Sequence, residues 1–384
     1  MSTLPAPSAD QLAHSQHLAA LIADQITAAG GWLPFDRYMD AALYQPGWGY
    51  YSAGSRKFGA AGDFVTAPEM GSLFAESLAN TVATVLAACG GGEVLEVGAG
   101  TGALARDLLL ALEAVQLPTH YRILEVSPDL AARQRETLEA GAPHLLSRVS
   151  WCTTLPSGFV GCMVGNEVLD AMPCRLVRWT QGQWWERGVG LSATGLVWAE
   201  RPLADLAAAA HLPTAGWPDD YLTEIQPTAA AFVASLAHAV EKGALLLVDY
   251  GFDAATYYHP ERSEGTLMCH YRHHSHDDPL WLPGLQDITT HVDFSAIWQA
   301  ATDAGWALEG YTAQASFLLD AGLLEALSRR DPQSTDYLRQ AAYAQKLLSP
   351  AEMGELFKVI GFSRNLPLTA LLPGFGREDR SGGL

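Results

Sequence analysis

Cationic residues are scarce: 23 lysines and arginines stand against 42 aspartates and glutamates, a formal net charge of −19. Contacts to phosphate need clustered lysine and arginine, and no such cluster occurs, so general binding to nucleic acid or to an anionic membrane is excluded. No apolar run reaches the ~18 residues that a membrane helix needs. The cysteines, at 89, 152, 162, 174 and 269, form no CxxC pair and are odd in number. Reduced core thiols fit that usage better than a disulfide framework. No lysine or arginine precedes Arg37. That leaves neither a signal-peptide n-region nor an arginine-rich presequence, so the bacterial cytoplasm is the expected compartment. Internal repeats are absent, as are low-complexity linkers apart from frayed ends at 1–7 and 377–384.

What is present is ordinary globular material, 384 residues with 49% hydrophobic and 17% charged. It suffices for a full core, as one large domain with insertions or as two domains. The chain is organised around GEVLEVGAGTGALARDLLL, residues 92–110. Glu93–Val97 has the length and β-branching of a short buried strand, glycines follow at 98, 100 and 102, and Leu104, Leu108 and Leu112 then recur at helical spacing. This reads as strand, glycine turn, helix. Glycine tolerates positive φ and lets a ligand approach the backbone, and the helix start offers unpaired N–H groups to an anion. Gly98, Gly100 and Ala103 satisfy the loose GxGxxA form of a dinucleotide site, while Gly98, Gly100 and Gly102 give GxGxG. Glu96 decides between them. An acid two positions before the first glycine is awkward beside a pyrophosphate but comfortable beside the ammonium and sulfonium of S-adenosylmethionine.

A second strand is expected over Tyr121–Val126, with Glu125 at its end, where folds of this type hold ribose hydroxyls. Ser127 and Pro128 then start a helix. Further strands are read at Arg148–Cys152, Gly161–Gly165, Ala244–Asp249, Trp306–Tyr311 and Leu366–Leu372. A seventh strand returning into a parallel sheet distinguishes Rossmann-like methyltransferase sheets from dinucleotide ones. The fourth strand runs into Asn166, Glu167 and Asp170, and ligands of doubly wound sheets bind outside the carboxyl ends of strands. These three residues therefore fall where a substrate would meet the transferred methyl. His291, before a helix start, is a candidate proton acceptor. Asp63 lies in a glycine- and aromatic-rich stretch expected to cover the donor. RLVRWT, QGQ and WWERGVGL read as a β-hairpin inserted into the alternation. Histidines at 270, 273, 274 and 276 match no metal-binding spacing, so no metal is expected.

Taken together, GYY (49–51), GDFVTAPE (62–69), EVGAGTGALARDLL, ILEVSPDL, NEVLDAMP, LLLVDYGF and DITTHVDF followed by FLLDAG resemble the MidA family of S-adenosylmethionine-dependent methyltransferases. Its eukaryotic members are mitochondrial complex I assembly factors that methylate an arginine of a core subunit. The resemblance spans roughly residues 35–372 and implies a Rossmann-like class I methyltransferase: an α/β fold with a seven-stranded, mostly parallel sheet. It implies donor binding by Glu96, Gly98, Gly100, Gly102 and Glu125 with help from Asp63 and Asn166, and a protein arginine as acceptor. Without an organelle presequence, a bacterial relative is implied.

The expected organisation is an N-terminal helical and glycine/aromatic lid over 1–88, a methyltransferase domain over 89–373 with insertions at about 174–226 (hairpin) and 314–363 (helical), and a tail over 374–384. A guanidinium becomes an effective nucleophile when carboxylates fork onto its other nitrogens, and Glu167 and Asp170 are the candidates for that role. Two rival readings use the same residues, a nicotinamide oxidoreductase and an assembly chaperone that keeps the cofactor fold. The sequence leaves open the acceptor protein, the number of methyls added and whether the chain forms an oligomer.

Overall fold

A computed structural model describes residues 4–53 and 66–384, and the chain divides into two compact units. The segment carrying Asp63 lies outside the described residues.

One unit draws on residues 65–168, 231–251 and 294–384. Its sheet contains β1 (Glu93–Val97), β2 (Tyr121–Leu124), β3 (Val149–Cys152), β4 (Phe159–Asn166), β5 (Val240–Phe252), β6 (Ala307–Ala313) and β7 (Phe357–Arg364). The seven run in the order β6-β7-β5-β4-β1-β2-β3. Strands β1 to β5 pair in parallel, and β7 is antiparallel to both β5 and β6. Strand order reverses between β1 and β4, which makes their carboxyl ends the topological switch point where such sheets open a crevice. The helices α1 (Leu73–Cys89), α2 (Ala103–Glu113) and α3 (Pro128–Gly141) contribute to one contiguous core with the strands. Val94, Ile123, Val164, Leu246 and Val359 on the strands and Leu78, Val82, Leu104 and Leu108 on the helices are all buried in it. Strands covered on both faces read as near-continuous apolar runs, as in LLLV and, but for Glu96, VLEV.

The seventh strand is corrected in position. It was expected over 366–372, yet the chain is extended over Phe357–Arg364 and carries no regular strand beyond it. Pro367 interrupts the expected run and Pro373 follows it directly, and proline lacks the N–H that an interior strand must donate. Lys358 and Ser363 disguise the true strand, although both are buried there. The helical stretch after β6 accordingly ends at Leu348, as three helices over Gln314–Asp320, Leu323–Ser328 and Thr335–Leu348.

The other unit gathers the described residues of 1–64 with 169–230 and 252–293. Its first helix, Ala9–Ala28, opens on a capping box in which Ser8 and Gln11 each bond the other's backbone N–H. A second, Phe35–Tyr44, follows a short strand, Leu33–Pro34. The expected hairpin proves to be part of a five-stranded antiparallel sheet built from Leu33–Pro34, Arg175–Thr180, Gln183–Ser192, Gly195–Pro202 and Tyr221–Ile225. Gln181 and Gly182 connect two of its strands with both φ angles positive, the geometry of a tight hairpin turn. A separate three-stranded sheet contains Met268–Tyr271, His274–His276 and Asp287–Thr289. The N-terminal helices and the inserted strands thus share one core, in which Leu18, Ile22, Phe35 and Tyr38 meet Leu176, Val189 and Ile288. Sequence proximity hid this, because the three segments are far apart along the chain.

Candidate active site

The glycine turn closes β1 onto α2. Gly98, Gly100 and Gly102 all have positive φ, at 64°, 51° and 82°. Their surroundings differ. A Cβ on Gly98 would sit 3.2 Å from Val168 Cγ2, and one on Gly102 would come within 2.9 Å of the Gln134 Cα, so the first glycine makes room for a side chain and the second for neighbouring backbone. At Gly100 a Cβ would meet nothing within 4 Å. Packing explains two of the glycines; the third faces open space, as expected where a ligand approaches the chain.

Two acids lie on this side of the sheet. Glu96 is buried on β1, and the Tyr121 hydroxyl donates to its Oε2 at 2.6 Å. Burial pushes the Glu96 carboxyl up to about 7; the Tyr121 hydroxyl pulls the other way, and the nearby charge of Glu125 adds to the rise. Glu125, at the end of β2, accepts the Ser127 N–H at 2.8 Å on Oε1 and the Gln134 amide at 2.9 Å on Oε2. Burial raises this carboxyl too, opposed by those two donors. A carboxylate has about four acceptor sites, so capacity remains to accept a ribose hydroxyl.

Gln134 escaped the sequence reading. Its Nε2 also donates to the Gly100 carbonyl at 3.1 Å, and its Oε1 accepts the Trp151 indole N–H at 2.8 Å, so one fully buried amide ties the glycine turn, β2 and β3 together. The available signal was its place one turn before Leu138 on the inward face of α3.

On the other flank of the crevice β4 ends at Asn166. Its Nδ2 donates to Glu167 Oε1 at 3.2 Å, while its Oδ1 is buried with no hydrogen-bond partner. Glu167 adopts φ 53°, a strained value for a side chain of its size. The turn is fixed from β5: Glu167 N–H donates to the Val248 carbonyl at 2.8 Å and Val168 N–H to Asp249 Oδ2 at 3.1 Å.

Asp170 and His291 belong to the unit that holds the five-stranded antiparallel sheet, and the fold brings them together there. Thr290 N–H donates to the Asp170 carbonyl at 3.0 Å, immediately before His291. The His291 N–H donates to Thr266 Oγ1 at 3.0 Å, its carbonyl accepts the Gln226 amide at 2.8 Å, and its ring lies 5.1 Å from that of Phe252. Glu167 belongs to the unit that holds the seven-stranded sheet, so the two expected carboxylates fall in different units. Among the described residues no group of three or more histidine, cysteine or acidic side chains could hold a metal ion, and no helix is long and apolar enough to cross a membrane.

The residues fit the methyl donor in three respects. An open approach at Gly100, an acid with paired acceptors at the end of β2, and an orphaned amide oxygen at Asn166 suit a nucleoside that carries an ammonium and a carboxylate. Comparison with known proteins points the same way. A family model described as "Putative S-adenosyl-L-methionine-dependent methyltransferase" matches residues 77–312. A crystal structure from Burkholderia thailandensis, of a "likely methyl transferase" bound to S-adenosyl-homocysteine, is 50% identical, covers 100% of both chains and has a TM-score of 0.95. Among curated proteins, the mitochondrial protein arginine methyltransferase NDUFAF7 of Danio rerio is 29% identical over 382 residues, 89% of this chain and 85% of that one. The Drosophila melanogaster homologue is 28% identical, covering 92% and 87%.

Proposed function

Because the chain belongs to this family of S-adenosylmethionine-dependent methyltransferases, we propose that it transfers the methyl group to an ω-nitrogen of a protein arginine. The observation that carries the cofactor part is the switch-point crevice: an open glycine turn on one side, Asn166 on the other, and acids rather than cations at Glu96 and Glu125. The arginine part is supported by the curated relatives, which are named as arginine methyltransferases and align over most of this chain.

S-adenosylmethionine supplies a methyl group on an electropositive sulfur. The protein's own groups do the rest. Gly98, Gly100 and Gly102 would hold the donor at the turn, Glu96 would meet its ammonium and Glu125 would accept its ribose hydroxyls, with Asn166 and Asp63 assisting. On the acceptor side a guanidinium is charged and delocalised, and its nitrogen reacts once carboxylates fix the plane of the group. Glu167 and Asp170 are suited to this orienting role, and His291 to removing the proton the alkylated nitrogen must shed. The acidic balance of the chain favours a cationic segment as partner. The MidA resemblance makes a core subunit of respiratory complex I the first acceptor to examine.

Mass spectrometry of the proteome, with and without the gene, tests the reading. A methylated arginine that disappears on deletion and returns with the wild-type gene supports it. Methyl loss confined to lysine or carboxylate side chains contradicts it.

A further inference from the structure

GYY, the LDAMP part of NEVLDAMP and DITTHVDF, all singled out in the sequence analysis, converge within the antiparallel-sheet unit on one buried cluster. The Tyr51 hydroxyl donates to Asp287 Oδ1 at 2.9 Å, and the same oxygen accepts the Ile288 N–H at 3.0 Å. Tyr44 stacks on Tyr51 with ring centroids 5.5 Å apart, and its hydroxyl donates to the Ala171 carbonyl at 2.9 Å. That bond anchors the chain beside Asp170. Burial raises the Tyr51 phenol well above its usual value, and the Asp287 carboxylate, then Tyr44, then the Asp170 carboxylate add to the rise. Both acids therefore sit close enough to act on one hydroxyl, and they are only 2% and 5% exposed.

A separate feature points to a ligand. Alternate residues of a strand share a face, so Thr289 projects on the same side of the strand Asp287–Thr289 as Asp287. Its Oγ1 is buried without a hydrogen-bond partner, in a residue only 3% exposed. An unpaired buried hydroxyl is costly, and a bound polar group removes the cost.

We propose that Asp170, Asp287, Tyr51 and Thr289 receive the guanidinium of the acceptor arginine. The inference rests on the arginine reading above and adds the residues that bind the acceptor. A guanidinium brings five N–H donors in a plane and no acceptor, which complements two carboxylates and two hydroxyl oxygens. Tyr51 keeps its proton and donates it in the hydrogen bond to Asp287. A lysine ammonium has three donors about one point and does not span the same set. The arrangement thus also selects arginine over lysine.

The test compares wild type with Asp287→Asn, Tyr51→Phe and the nearly isosteric Thr289→Val. Each receives tritiated S-adenosylmethionine and an extract of cells lacking the gene, and label is counted as methylarginine after hydrolysis. Loss of a charge-assisted hydrogen bond should lower the Asp287→Asn rate about thirtyfold, with losses of about fivefold in the two hydroxyl variants. Calorimetric affinity for S-adenosyl-homocysteine should stay within about twofold of wild type in all three, since none of them lines the glycine turn. Guanidinium chloride, far below unfolding concentrations, should inhibit wild type and lose potency against Asp287→Asn. Wild-type rates in Asp287→Asn and Thr289→Val, or equal inhibition by guanidinium, would overturn the proposal while the arginine reading stands. Label from wild type in any residue other than arginine would sink both. Should Asp287→Asn fail to fold, Thr289→Val and Tyr51→Phe decide alone.

Discussion

At the scale of single residues, Glu96 shows how one carboxylate carries both stability and binding. Its folded pKa of about 7 lies above its ordinary 4.5. A raised value means that the folded state holds the proton more tightly. The stabilisation is complete below pH 4.5 and is lost as pH rises through about 7. Relative to Glu96→Gln, wild type should therefore lose on the order of 2 to 3 kcal/mol between pH 5 and pH 8, read from urea midpoints. A constant difference across that range would contradict the buried, protonated acid. The binding side follows from the same group. If Glu96 meets the donor's ammonium as an anion, binding near pH 6 releases a proton, and calorimetry in two buffers of different ionisation enthalpy should detect it. No buffer dependence would remove Glu96 from the ammonium site.

At the scale of elements, β1, β4 and β5 begin against one another without room for side chains. A Cβ on Gly161 would lie 1.9 Å from the Glu93 carbonyl oxygen, and one on Gly243 1.9 Å from that of Gly161, with φ 144° and 155°. Both positions join a backbone conformation that L side chains rarely adopt to a hard clash. Gly161→Ala should cost more than about 3 kcal/mol, seen as a lowered urea midpoint, because three central strands would have to separate. A loss within about 0.5 kcal/mol would mean that the strands shift freely. Much at this scale was legible in the sequence. VLEV, the glycine turn and the Leu104, Leu108, Leu112 spacing gave β1 and α2 because pattern and turn chemistry agree locally. Misplacement of β7 came from a competing local signal. Leu366–Leu372 is the more apolar run, but its Pro367 is read correctly only once a central position in the sheet is assigned.

At the scale of the whole molecule, the sequence exposed the cofactor fold and hid the unit built on the antiparallel sheet. Gly98 to Gly102, Glu96 and Glu125 are close in sequence, and one βαβ rule relates them. Gln134 was invisible because its partners, Gly100, Glu125 and Trp151, sit on three other elements and nothing in a helix marks a glutamine as inward-facing except register. Tyr51, Asp170 and Asp287 meet only through segments separated by more than a hundred residues, and no periodicity records such a meeting. Family resemblance supplied what local pattern could not, and the match over residues 77–312 bears out the methyltransferase assignment.

The account depends most on the donor lying against the turn at Gly100, and ligand-dependent stability of the intact chain measures this directly. Saturating S-adenosyl-homocysteine at a hundred times its dissociation constant should stabilise wild type by about 2.7 kcal/mol. In Gly100→Val, whose Cβ meets no neighbour, most of that gain should vanish, and the fall in the unliganded midpoint should be limited to the cost of a branched residue at positive φ. Equal stabilisation of both proteins, or stabilisation by NADH and none by S-adenosyl-homocysteine, would contradict it.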